Sequence, residues 1–183
     1  MRPILTLLSL VFACPALASD GVMEINQTCA VGTGCFAGDA AGFPVTIDGT
    51  AGHSHRLTSD LTLPNENVDG IVVSTSDVTI DLAGFAILGP VSCSGEPPGV
   101  PLTCTPSSGT GSGVKSSSRG VSVKNGSIAG MGAFGVALGD QAEVTNLRVR
   151  SNRLSGIFTT PGSIVSGNTA YQNGQGGIFA FSS

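Results

Sequence analysis

The chain has 183 residues, with 27 glycines, no tryptophan, 11% charged and 5% aromatic residues. That balance suits short strands and tight turns and argues against a helical enzyme. A formal charge of −4 argues against binding a nucleic-acid polyanion by net charge.

The N-terminus reads as a secretory signal over residues 1–18. Arg2 supplies the positive region, residues 4–13 form an apolar run too short to span a bilayer, and Ala16-Leu17-Ala18 is an A-x-A cleavage site. The mature chain then starts at Ser19 and is secreted or periplasmic. A rival reading takes Val11-Phe12-Ala13-Cys14 as a lipoprotein box with a lipidated Cys14, for which Phe12 is a poor fit. No other segment could span a membrane as a helix.

Loss of the signal removes Cys14 and leaves four cysteines, an even number in an exported chain. Three connectivities are open. Closeness in sequence favours Cys29 with Cys35 and Cys93 with Cys104. A zinc site is the alternative, although neither pair has CxxC spacing.

Residues 19–67 are expected to form an N-terminal cap, with strands near 43–48 and 56–63. His53 and His55 are two residues apart and could share a strand face, as in some metal sites, but no third ligand follows. Residues 68–88 read as the first clear coil, with Val78, Ile80, Leu82 and Phe85 as its apolar positions. Residues 89–112 break the pattern. They hold five prolines (Pro90, Pro97, Pro98, Pro101 and Pro106) and the second cysteine pair. The expectation is an ordered excursion pinned by Cys93–Cys104.

A repeat then dominates residues 68–183. The pairs Gly113-Val114, Gly135-Val136, Gly156-Ile157 and Gly177-Ile178 are spaced by 22, 21 and 21 residues. Gly70-Ile71 lies 43 residues before Gly113, the sum of two such steps. A constant period of this size marks a solenoid. Within each unit the apolar positions alternate, as in Val121, Val123 and Ile128 or in Ala142, Val144 and Val149, which predicts short strands with one buried face. Stacked coils would place Ile71, Val114, Val136, Ile157 and Ile178 in one interior column. Asn152 and Asn173 would form an amide ladder at a turn, beside their ordinary tolerance of left-handed turns.

These residues, together with CAVGTGCFAGDAAGFPVTI at 29–47 and RLTSDLTLPNENVDGIVVSTSDVTIDLAGF at 56–85, resemble the right-handed parallel β-helix (pectate-lyase-like) superfamily. In particular they resemble secreted bacterial β-helix proteins of unassigned function. The resemblance implies an all-β, right-handed parallel β-helix with about 21–22 residues per coil. It does not imply an activity, because lyases, hydrolases, adhesins and binding proteins share the superfamily.

Stacking gives the outward columns Thr79, Ser122, Glu143, Ile164 and Asp81, Lys124, Thr145, Ser166. Each carries one acid, where a Ca²⁺-dependent lyase or a two-carboxylate hydrolase needs a cluster. Asp81 and Lys124 are expected to form a surface ion pair. No catalytic residue, cofactor or metal is assigned. Two further columns, Gly84, Ser127, Arg148, Thr169 and Ala86, Ala129, Arg150, Tyr171, bring arginines beside the only tyrosine. Arg148, Arg150, Arg153 and Tyr171 could together grip an acidic polysaccharide or glycan, or could simply be a solvated face. The repeat breaks off six residues after Gly177. The expectation is a truncated product whose edge, with Ile178, Phe179 and Phe181, invites self-association.

The functional expectation is therefore an exported, non-catalytic surface or carbohydrate-contacting scaffold. Two alternatives stand beside it: a fragment of a polysaccharide lyase or glycoside hydrolase lacking its catalytic coils, and a structural cell-envelope protein.

Overall fold

The structure, a computed structural model, describes residues 21–95 and 102–181. The expected signal, Cys14, Pro97, Pro98 and Pro101 lie outside the described residues. The fold is all-β, 4% helical, with parallel sheets stacked as a solenoid of about six turns.

The described residues open with β1 (Met23–Ile25) and with α1 (Gln27–Gly32), a short helix and the single one among them. Asn26 caps the helix by accepting the Cys29 N–H at 2.9 Å. Six residues are too few for a helical apolar stripe, so the periodicity could not show α1. Its buried Ala30 joins the core.

The first coil is β2 (Val45–Ile47), β3 (Ser54–Leu57) and β4 (Leu61–Thr62). The second is β5 (Ile71–Val73), β6 (Thr79–Asp81) and β7 (Ala86–Leu88), and it pairs with the first strand for strand. Stacking thus begins within the segment expected to be a cap. Pro44-Val45 stands where later coils have Gly plus an aliphatic residue, so the repeat is hidden there. Among the described residues only β1 and α1 precede the first coil's β2, and β1 pairs β3.

An antiparallel hairpin follows, β8 (Ser92–Ser94) with β9 (Thr103–Thr105), and places Cys93 opposite Cys104. The coils on either side of this excursion stack directly. β5 pairs β10 (Val114–Ser116), and both β6 and β7 pair β11 (Ser122–Ala129). The 43-residue step from Gly70 to Gly113 is therefore one coil with an insertion, not two coils.

Next come β12 (Val136–Leu138) and β13 (Glu143–Arg150), then β14 (Ser155–Thr159), β15 (Ile164–Ser166) and β16 (Thr169–Tyr171), and finally β17 (Gly176–Ala180). One sheet runs β17-β14-β12-β10-β5-β2. The other carries β1, β3, β6, β11, β13 and β15, with β4, β7 and β16 alongside. Ile71, Val114, Val136, Ile157 and Ile178 are register partners, and the first four are fully buried. Each such burial is worth about 1.5–3 kcal/mol.

The register also corrects the second coil. Ile128 aligns with Ile87, not Phe85, and Ser127 and Ala129 align with Ala86 and Leu88, not Gly84 and Ala86. The cause is the bend after the first strand of each long pair. Later coils turn through one left-handed residue, Asn125 (φ 60°), Asn146 (φ 56°) or Gly167 (φ 67°). The second coil uses two, Ala83 (φ 53°) and Gly84 (φ 90°), and so is longer at that corner.

The recurring glycine has a packing cause. A Cβ on Gly70, Gly113 or Gly135 would lie 2.6 Å from the carbonyl oxygen of the matching glycine one coil on. That carbonyl is also the acceptor for the following aliphatic N–H, as in Ile71 N–H to Gly113 O at 2.9 Å. Close stacking at this corner admits no side chain.

Candidate functional site

In β13 the alternation buries Val144, Leu147 and Val149 and exposes Glu143, Arg148 and Arg150. Pairing with the flanking strands sets Arg148 between Ser127 and Thr169, and Arg150 between Ala129 and Tyr171. Arg148, Arg150 and Tyr171 therefore share one exposed face, on adjacent rungs about 4.8 Å apart. A depression of about 360 Å³ adjoins Arg148 at the corner formed by Asn125, Asn146 and Thr169. Neither arginine has an ion-pair partner among the described residues.

Arg153 does not join them. It lies past the end of β13, in the turn after Asn152, and its guanidinium donates to Gly132 O at 2.5 Å and Gly109 O at 2.9 Å. It ties the return of the excursion to the solenoid.

Asn152 and Asn173 are buried and bonded to each other, Nδ2–H to Oδ1, at 2.9 Å. Cys29–Cys35 and Cys93–Cys104 are disulfide-bonded, which leaves none of these thiolates for zinc. The two histidines are not on one face. His53 is exposed, whereas His55 is buried in an interior column between Met23 and Ile80. Its ring lies 5.2 Å from that of Phe36 and its Nε2 is 3.2 Å from Gly52 O. Burial pushes its pKa down.

Asp81 and Lys124 are register partners, but the Asp81 carboxylate accepts from Ala83 N–H at 2.8 Å and Asn125 Nδ2–H at 3.2 Å. The ion pair found among the described residues is instead Lys115–Asp69, at 3.4 Å. It borders a cleft on the opposite sheet that the sequence reading missed, lined also by Val72, Ala137, Asp140 and Phe158. The signal was present. Val72, Lys115, Ala137 and Phe158 each follow the aliphatic residue of a Gly-aliphatic pair, so alternation turns them all outward.

At the far end, β15 and β16 pair only with β13 among the described residues. Ile164 is exposed on β15, and Ile178, Phe179 and Phe181 are exposed on and after β17, which pairs only with β14 at the same end of the other sheet among the described residues.

Compared with known proteins, the chain matches no family model, no curated protein and no solved structure. Two disulfides fit an oxidising, extracytoplasmic compartment. Among the described residues no helix is long and apolar enough to cross a membrane.

Proposed function

We propose that this chain is an exported, non-catalytic β-helix scaffold that contacts an acidic glycan through Arg148, Arg150 and Tyr171. The observation that carries the reading is the register of β13 with β16, which sets two guanidiniums, without ion-pair partners among the described residues, beside the tyrosine on one exposed face. Guanidinium forks suit sugar carboxylates, and an aromatic ring suits the C–H face of a pyranose. The likeness of the repeat to pectate-lyase-like solenoids, a signal at residues 1–18 and the two disulfides support export. The outward columns of β6, β11, β13 and β15 carry isolated acids, which favours binding over cleavage.

A glycan array of the purified mature chain tests this, beside an assay for unsaturated-uronate release. Binding to uronate-containing glycans, weakened at least tenfold by Arg148→Glu with Arg150→Glu and without uronate release, is the expected result. Equal binding by wild type and the double variant, or none to any acidic glycan, would sink it.

The unpaired edges of β15 and β16 on one sheet and of β17 on the other among the described residues, with Phe179 and Phe181 at 46% and 54% exposure on and after β17, support a second copy as a further partner. Sedimentation of the chain with and without Phe179→Lys and Phe181→Lys decides this. A monomer that is independent of dilution in the unmodified chain would refute it.

A further inference from the structure

The face of the β5–β10–β12–β14 sheet carries a cleft of about 620 Å³ that plays no part in the arginine site. That volume is within the range of small-molecule sites, roughly 300–1,000 Å³. Its floor is one outward column, Val72, Lys115, Ala137 and Phe158, in register across four strands. At about 4.8 Å per rung the column runs about 14 Å along the solenoid axis. The half-buried Phe158 ring has two aromatic neighbours, Phe134 at 5.3 Å (tilted) and Phe181 at 5.6 Å (edge-on) between centroids.

Polar groups stand at the margins of this apolar strip. Asp69 accepts the Ser112 N–H at 2.7 Å and pairs with Lys115 Nζ at 3.4 Å. The ammonium has three donors, so this pairing leaves it capacity for a ligand. Asp140 is exposed and accepts from Thr160 Oγ1 at 2.5 Å. A carboxylate has acceptor sites beyond that one bond. The cleft thus combines an aromatic platform, acceptors and a donor. Two carboxylates against one ammonium disfavour an anionic ligand, which is the reverse of the arginine face.

A ligand with an apolar face and a rim of hydroxyls, and with no charge, meets all of these conditions. We propose that the cleft binds a neutral oligosaccharide lying along the solenoid axis. The C–H face of one pyranose stacks on Phe158, and ring hydroxyls donate to Asp140 and accept from Lys115. The site lies on the other sheet from Arg148 and Arg150 and stands whether or not that face binds glycan.

Calorimetry and saturation-transfer NMR with cellotriose, maltotriose and N,N′,N″-triacetylchitotriose test it on the purified mature chain. At least one probe is expected to bind with a Kd of about 1 mM or tighter. Phe158→Ala and Asp140→Asn should each weaken it at least tenfold, Glu143→Gln on the other sheet should not, and trigalacturonic acid should not displace it. Circular dichroism checks that each variant folds. If Phe158→Ala does not, Asp140→Asn and Lys115→Gln carry the test. Failure of all three probes to bind, binding indifferent to the cleft variants, or displacement by trigalacturonic acid would overturn the proposal.

Discussion

Asn152 donates its side-chain amide to Asn173 Oδ1 at 2.9 Å, and the same oxygen accepts the Asn152 backbone N–H at 3.2 Å. The pair extends in both directions. Asn152 Oδ1 accepts the buried Met131 N–H at 3.0 Å, and Asn173 Nδ2–H donates to Val149 O at 3.2 Å. The recurring glycine and the recurring asparagine are one feature. A Cβ on Gly135 would sit 2.9 Å from Asn152 Nδ2, and one on Gly156 would sit 2.8 Å from Asn173 Nδ2.

Asn152→Ala should therefore cost about 1–3 kcal/mol, because it leaves the Met131 N–H buried without an acceptor. Urea unfolding followed by circular dichroism measures this. An unchanged midpoint would mean that water or another carbonyl takes over the bond.

Gly135→Ala should also destabilise, although alanine normally favours folding by restricting the unfolded chain. The added methyl meets Gly156 O at 2.6 Å, and both partners are backbone or ladder atoms that cannot move away cheaply. Gly49→Ala is the control, since its nearest neighbour would be Thr75 Oγ1 at 3.8 Å. Equal melting temperatures for the two variants would contradict the close-stacking explanation.

The parts legible in the sequence were those set by repetition. The interior column from Ile71 to Ile157 follows from period and alternation alone, whereas Ile178 keeps the register but is exposed, because no further coil covers it among the described residues. What escaped had no periodic signal. Val45 follows a proline, so its coil looked like a cap, and the two-residue corner at Ala83 and Gly84 shifted the second coil's register. Arg153 looked like Arg148 and Arg150 because sequence spacing does not show that a side chain folds back onto Gly109 and Gly132. Phe158 carries no motif of its own, and only its register with Val72, Lys115 and Ala137 gives it a place in a column.

His55 predicts a pH dependence. Its pKa is lowered by burial, so the folded state binds fewer protons than the unfolded state just below the ordinary value of about 6.5. Stability should fall as pH drops through that value toward the lowered one, and be fully present above it. His55→Leu, which suits an interior column, should remove this slope. The thermal midpoint between about pH 7 and pH 5 reads it. Identical slopes for both proteins would show that His55 protonates without cost.

Arg153→Ala should loosen the excursion and leave the solenoid folded. The guanidinium holds Gly109 O and Gly132 O, whereas β5 and β10 pair without it. Faster proteolysis within residues 102–112, with little change in far-ultraviolet circular dichroism, is the expected pattern. Protection equal to wild type would assign the anchoring to Cys93–Cys104, the Ser112–Asp69 bond and the Thr110 and Gly111 N–H bonds to Glu66 O instead.

Both proposed sites stand on one claim: residues one coil apart are neighbours in parallel register. Backbone nuclear Overhauser effects on a labelled sample test it directly. The account predicts contacts from Val114 to Val136 and from Val136 to Ile157 on one sheet, and from Arg150 to Tyr171 on the other. Antiparallel contacts within a single repeat, such as Val114 with Val123, would contradict it and dissolve both faces.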